Sequence, residues 1–432
     1  MMPEASPWPG SARWEPDGLR IGGMAATELA ERFGTPLMVF DEQDLRERMR
    51  AVRARFPRVA YAVKAMTCAA VIRTALEEGL DLLCASGGEV LACLRAGAPP
   101  GRVLLHGNAK SDEELALAVR ERIGWVIVDD AEELERLDGV ARAAGVVQPI
   151  LLRVIPEVAV DTHRAIATGK AASKFGTPLA DAPGLMRRAT ALAGVRLDGL
   201  QAHAGSQVFD VGAYGSVARA LRSVAAEAGI EPAVWDVGGG FGVTYGTEQP
   251  LDVGALAETL HAELGPITLQ VEPGRALVAN PGLTLYRVLA RKRAGGATLL
   301  AVDGGMSDNV RPALYDAHHA VRSAAPGGPA TETVTVVGRH CESGDVLAPA
   351  ATLPTDLARG DLVAMAATGA YAYPLASVYN RFGRPAVIGV RDGGATLWVR
   401  REEADDMDRL DVILGTPWEA PAAPATHGDG DR

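Results

Sequence analysis

Concentrated positive charge is missing from this sequence. Acidic residues number 54 against 43 basic ones, the net charge is −11, and the two signs are mixed along the chain. Binding to a phosphate backbone needs a dense basic surface, so nucleic acid is excluded as a partner. A small anionic ligand is not excluded, because two or three placed arginines suffice for one. Cysteine is scarce too: Cys68, Cys84, Cys93 and Cys341 form neither a CxxC pair nor a regular framework. They read as free thiols in a reducing compartment, and no metal is expected. No uninterrupted apolar run reaches about 18 residues, so no membrane span is expected. The opening MMPEASPWPGSARWEPDG lacks the basic and apolar regions of a signal peptide, and a cytoplasmic location is expected.

What is present is an ordinary globular balance, 48% hydrophobic and 22% charged over 432 residues, enough for a barrel and a companion domain. Between about residues 45 and 290, short apolar runs alternate with amphipathic stretches. The runs are VAYAVKA, LDLLCAS, VLLHG, WVIVDD, ILLRVI, LDGLQAH, AVWDVGG and TLQVEP. Intervening segments such as SDEELALAVRERIG and DAEELERLDGVARAAG open on Ser or Asp, residues that suit a helix N-cap. Eight strands separated by helices predict an α/β protein with a (β/α)8 barrel, and an open doubly wound sheet is the rival. Polar residues favour the barrel. Lys64, His203, Gly238, Glu272 and Arg275 fall at or just past the C-terminal ends of predicted strands, which a barrel gathers on one rim.

After residue 290 the alternation stops. LTLYRVLARKR, ATLLAVDGG, TETVTVVG, DLVAMAA and PAVIGVRDGGATLWVRR read as strands without helices between them, the last a hairpin turning at Asp392-Gly393-Gly394. The predicted organisation is a disordered tail over 1–20, a barrel over 45–290, an all-β domain (barrel or sandwich) from 21–44 and 291–415, and a second tail over 416–432.

Lys64 lies near the end of the apolar run YAVKA. A lysine there is costly unless paired or used, and desolvation suits its amine to attack an aldehyde. On this stretch alone, a strand-end lysine reaching solvent is the plainer reading. The surroundings change that. The three glycines of DVGGGFG leave backbone N–H groups bare, and with EPGR they occupy the loops after strands seven and eight, where barrels often bind phosphate. Glu272, in VEPGR, is either salt-bridged to Arg275 or placed against a pyridine nitrogen, keeping the ring an electron sink. His203 in QAHAGSQ could stack on such a ring, although a satisfied core histidine is the default for a lone His.

These segments resemble the fold-type III pyridoxal-phosphate decarboxylases, and within them the branch acting on diaminopimelate. The likeness runs from about residue 35 to 412 and is carried, in the family's order, by YAVKA, SGGEV, HGNAKS, SKFG (Ser173–Gly176), HAGSQVFD, GGGFG, EPGRALVAN, VDGGMSDNVRPALY, CESGD and TGAY. The resemblance implies pyridoxal 5'-phosphate joined to Lys64 as a Schiff base, with His203 stacked on the ring and Glu272 at its nitrogen. Ser206, Gly238, Gly239, Gly240, Gly274 and the Arg275 backbone would surround the phosphate. The Arg275 side chain, Arg311 and Tyr315 would grip a distal carboxylate of the substrate, and Tyr371 would close the site beside cofactor and substrate. Cys341 and Glu342 would come from a second subunit, Cys341 returning a proton to the α-carbon and Glu342 holding the distal amine. The reaction implied is decarboxylation of meso-2,6-diaminopimelate to L-lysine and CO2, in lysine biosynthesis, by a homodimer with shared active sites.

The chain departs from the family at Met66, where Asn is usual, at Ala204 beside His203, and at Pro374 and Val378 after Tyr371. None removes a catalytic group. The alternatives are a decarboxylase of ornithine, arginine or a carboxylated polyamine of the carboxynorspermidine type, a non-catalytic pyridoxal-phosphate-binding regulator, and a racemase of related fold. A substrate without a second carboxylate needs neither both arginines nor Tyr315, and a regulator needs no Cys341.

Overall fold

A computed structural model describes residues 5–158, 173–411 and 414. Near the start lie β1 (Arg13–Glu15), β2 (Gly18–Ile21), β3 (Met24–Ala25) and β4 (Leu37–Asp41). Eight strands follow: β5 (Arg58–Ala62), β6 (Asp81–Cys84), β7 (Val103–Leu105), β8 (Trp125–Val128), β9 (Gln148–Val154), β10 (Val195–Ala202), β11 (Val234–Asp236) and β12 (Thr268–Val271). All pair in parallel, and β12 closes on β5 through Gln270 and Arg58, giving a closed barrel. The rival open sheet is therefore ruled out. The apolar runs are continuous because these strands are buried on both faces. Ala60, Ala62, Leu83, Leu104, Ile127, Leu151 and Val234 pack together in one cluster. Their neighbours at odd offsets, such as Val59, Tyr61, Leu82 and Val126, pack in the larger core with the helices.

The expected N-caps form. Ser111 Oγ accepts from Glu114 N while Glu114 Oε2 accepts from Ser111 N, a capping box that starts the helix Asp112–Glu121. Asp130 accepts from Glu133 N and starts the helix Ala131–Ala143.

The second domain is a sheet of β13 (Gly282–Ala294), β14 (Ala297–Val302), β15 (Val321–Ser323), β16 (Thr331–Val337), β17 (Val346–Pro354), β18 (Leu362–Met365), β19 (Ala386–Arg391) and β20 (Gly394–Val399), with β4 inserted between β13 and β19. The hairpin turns at Asp392 and Gly393, both with positive φ, as a tight two-residue turn requires.

Three boundaries differ from expectation. The sheet begins at Gly282, because the first residues of β13 pair with β4 and belong to this domain. The helix Glu42–Arg53 straddles the expected break at 44/45. The predicted tail over 1–20 is packed rather than disordered along its described part, which starts at Ala5: Leu19 is buried, and the Trp14 indole donates to Ser323 O at 2.8 Å. Its proline and glycine content suggested disorder, but packing of Trp8, Trp14 and Leu19 onto the second domain's core outweighs that composition. Residues 416–432 lie outside the described residues. Among the described residues no helix is long and apolar enough to cross a membrane, and no cluster of side chains could hold a metal ion.

Candidate active site

β5 ends at Ala62, and Val63–Ala65 form a 3-10 turn. Lys64 therefore sits two residues past the strand rather than on it, as the alternation had suggested, and that turn lifts its side chain out of the core into two cavities. Among the described residues its amine makes no hydrogen bond or ion pair. The inner cavity, about 250 Å³, is walled by Leu83, Ala85, His106, Arg153, His203 and Glu272. The outer one, about 450 Å³, is walled by Tyr245, Glu248, Arg311, Tyr315 and His318. Lys64, Ser206, Arg275 and Tyr371 line both, so the two form one continuous site with the free amine at the junction.

At the floor of the inner cavity Glu272 is buried. Its Oε2 accepts from Gln201 Nε2 at 2.8 Å, while Oε1 has no hydrogen-bond partner among the described residues. Burial and the neighbouring Asp236 push its carboxyl well above the ordinary range. Asp236 itself is pushed up to about 6, mainly by burial, although it accepts from Gly238 N and Gln270 Nε2. The salt bridge from Glu272 to Arg275, the plainer sequence reading, is absent: Arg275 Nη1 donates instead to the Tyr245 hydroxyl at 2.7 Å. His203 lines the wall, where burial and then the charges of Arg153 and Lys64 push its pKa down to about 3. Gly239 N donates to His203 Nδ1 at 3.2 Å, so the neutral ring carries its proton on Nε2.

The glycines make a cradle. Gly238 and Gly240 have positive φ, +74° and +87°, and a Cβ on Gly238 would lie 2.6 Å from Ala202 O. A side chain at Gly239 or Gly240 would strike the Glu272 or Gly205 carbonyl. These features fit a phosphorylated pyridine aldehyde: an amine free to bond the aldehyde, a buried carboxyl oxygen open to a ring N–H, a neutral imidazole on the wall, and a glycine loop without side chains that a phosphate can approach closely.

In the outer cavity Arg275 and Arg311 converge. The Arg275 guanidinium lies 4.7 Å from the Tyr371 ring centroid, and Arg311 lies 4.8 Å from that of Tyr245. Tyr371 holds a positive φ of 58° and donates its backbone N–H to Ala65 O at 2.8 Å, tying its strained residue to the Lys64 turn. Met66 and Ala204 are buried in the core, and Pro374 opens a short 3-10 turn.

Cys341 and Glu342 line neither cavity of their own chain. Both are exposed on the loop between β16 and β17. That loop is braced by the buried Asp345 carboxylate, which accepts from His340 N, His340 Nδ1 and Met306 N at 2.9, 2.7 and 2.6 Å. Asn380 Oδ1 accepts from Cys341 N at 2.8 Å. Asp345→Ala strands these buried donors and is expected to lower stability by about 2 kcal/mol in urea denaturation, against no change if the loop is held otherwise.

Sequence reasoning missed Arg153, His106, Asp236 and Tyr245. Arg153 interrupts the apolar run ILLRVI as Lys64 interrupts YAVKA, and the same argument applies to it. Its Nη1 donates to His106 Nε2 at 2.7 Å at the inner cavity wall. Nothing in the sequence marks Tyr245.

Residues 42–279 match the pyridoxal-binding domain of the pyridoxal-dependent decarboxylases. The chain is 46% identical to a diaminopimelate decarboxylase of Actinosynnema pretiosum, over 95% of this chain and 96% of that one. It is 43% identical to that of Mycobacterium tuberculosis, over 94% and 97%. Among solved structures, diaminopimelate decarboxylase from M. jannaschii in complex with L-lysine superposes with a TM-score of 0.88 at 29% identity, covering 94% of this chain and 98% of that one. A barrel rim that offers a free amine, an open buried carboxyl and a glycine cradle thus has relatives matched along nearly their whole length, and the chain belongs to the pyridoxal-dependent decarboxylases, in the diaminopimelate decarboxylase family.

Proposed function

We propose that the chain removes carbon dioxide from the D-centre of meso-2,6-diaminopimelate and releases L-lysine. One observation carries the reading: two guanidiniums, Arg275 and Arg311, meet beside Lys64 and make no ion pair among the described residues. One buried and one half-buried cation without a protein carboxylate are a costly arrangement unless a ligand supplies the anion. A second, distal carboxylate does so, and bidentate pairing selects for it.

Pyridoxal phosphate, when bound, supplies an aldehyde for an amine and a ring that accepts the electron pair left by departing CO2. Lys64 tethers it between turnovers. Glu272 holds a proton at the ring nitrogen, His203 covers one face as a neutral imidazole, and Ser206 with Gly238–Gly240, Gly274 and the Arg275 backbone takes the phosphate. Arg275, Arg311 and Tyr315 fix the distal carboxylate, so one end of the substrate is presented for reaction. Tyr371 excludes water at the junction of the two cavities.

Cys341 and Glu342 act in the site of a second copy, Cys341 protonating the α-carbon and Glu342 holding the distal ammonium. In support, both are exposed outside their own chain's cavities, and Leu314, Leu375, Val378 and Tyr379 are also exposed, Leu375 at the outer cavity's wall. The protein therefore works as a homodimer, and in the cytoplasm, where its four free thiols persist.

CO2 release is to be measured with meso-diaminopimelate, ornithine and arginine separately, and only the first should respond. Release from ornithine or arginine instead moves the chain to another substrate, and release from none refutes catalysis. Cys341→Ala is expected to slow turnover about 100-fold or more with the cofactor's absorbance intact. Mixing equal amounts of Lys64→Ala and Cys341→Ala proteins should restore about a quarter of wild-type activity, because half the dimers are hybrids with one intact site. No restoration refutes shared sites.

A further inference from the structure

Tyr245 has no part in the residue set above, yet it occupies the centre of the outer cavity's cationic wall. Its loop is tied down before any ligand enters. Asn280 Nδ2 donates to Thr244 O at 2.7 Å, and the Glu248 carboxylate accepts from the N–H groups of Tyr245 and Gly246 at 3.1 and 2.7 Å. The ring is only 8% exposed and meets His319 edge to face, with centroids 5.2 Å apart. Its hydroxyl oxygen accepts from Arg275 Nη1 and from Arg311 Nη1, both at 2.7 Å.

A phenol oxygen has two lone pairs and one proton, and a guanidinium only donates. Both lone pairs are thus taken by groups that cannot accept the proton in return. His319 does not take it either. Its Nδ1 donates to Ala366 O at 2.8 Å, and its Nε2 faces Arg311 Nη1 at 3.4 Å. Among the described residues the Tyr245 O–H has no acceptor, and Tyr245 lines the cavity in which Arg275 and Arg311 lie.

We infer that Tyr245 is a fourth donor of the distal-carboxylate site, beside Arg275, Arg311 and Tyr315: it spaces the two guanidiniums with its oxygen and gives its hydroxyl proton to the same substrate carboxylate. The inference rests on the proposed substrate reading. Burial alone would raise the phenol's pKa, but Arg275 and Arg311 together bring it below its ordinary value, which makes it a stronger donor. An incoming carboxylate adds negative charge beside it and keeps the proton on the oxygen. A substrate without that carboxylate leaves all four donors without their anion, and the site discriminates against it.

The test uses the cofactor-loaded enzyme. Tyr245→Phe keeps the ring and removes the oxygen. KM for meso-diaminopimelate should rise about 10- to 100-fold with kcat nearly unchanged, since the contact is made equally in ground and transition states. Competitive inhibition by pimelate, a dicarboxylate without amines, should weaken by the same factor, whereas inhibition by cadaverine, which has no carboxylate, should not change. Unaltered cofactor absorbance shows that the variant folds. If it does not fold, a fluorinated tyrosine at 245, with its more acidic phenol, should move the alkaline rise in KM to lower pH. An unchanged KM and pimelate inhibition in Tyr245→Phe, or an unmoved pH limb with the analogue, overturns the role of Tyr245 while wild-type turnover of meso-diaminopimelate stands. Absence of that wild-type turnover overturns the substrate reading and this inference with it.

Discussion

Lys64→Ala is expected to lower decarboxylation by on the order of 10⁴-fold or more, the largest effect of any single substitution in this chain, and to leave the cofactor unattached. The reason is positional. Lys64 is carried by a 3-10 turn into the junction of two cavities and has no hydrogen-bond or ion-pair partner among the described residues. The buried lysine near this rim cannot replace it. Lys110 is buried and already donates to Gly107 O, Ile127 O and Glu133 Oε1, each at 2.7 Å, so it has no free lone pair to offer. Borohydride reduction followed by peptide mapping reads the outcome directly. Wild-type protein should carry a pyridoxyl group on the YAVKA peptide and the variant none. A label on another peptide would sink the assignment.

The second large effect belongs to Glu272→Gln. An amide cannot keep a proton on a pyridine nitrogen, so the ring loses its pull on the α-carbon's electrons while Lys64 remains able to hold the cofactor. Turnover should fall about 10²- to 10³-fold with the covalent attachment intact, a split that absorbance and CO2 release resolve together. Retained turnover would remove Glu272 from the mechanism. The same site makes a prediction about pH. Burial raises Asp236 from 3.8 to about 6, and burial with Asp236 raises Glu272 further. Groups whose folded-state pKa is raised stabilise the fold fully below the unfolded value and lose that contribution as pH climbs through the folded one. Cofactor-free protein should therefore lose stability as pH rises from about 4 to about 6 and beyond. The loss should be smaller in the loaded enzyme, where a ring N–H faces the pair. Urea denaturation of both forms across that range checks it, and identical curves would contradict the pairing.

Several of these residues were legible without coordinates because they break a local rule. A lysine after an apolar strand, a glutamate after another and three glycines in a row are each anomalies that a window of a few residues reveals. The pyridoxal-decarboxylase resemblance then turned the anomalies into roles. Arg153 was visible by the same logic and was passed over. Tyr245 was not visible at all. An aromatic after a glycine loop is unremarkable, and its meaning depends on Arg275 and Arg311 arriving from elsewhere in the chain. The tail over residues 1–20 misled for a related reason. Its composition is that of a loop, and only Ser323 O and the second domain's core give Trp14 and Leu19 somewhere to bury.

By itself the sequence determined the alternation of strand and helix, the strand ends that bear polar groups, and the family to which these belong, because each is written in periodicity or in short ordered motifs. Tertiary structure alone decided that β12 closes on β5, that β4 takes its place in the second domain between β13 and β19, and that Glu272 meets Asp236 rather than Arg275. It also put Cys341 outside both cavities of its own chain, where the family resemblance had led it to be expected. Those outcomes depend on which lone pairs, protons and charges share a buried space, and residues far apart along the chain come to share one only when the barrel shuts.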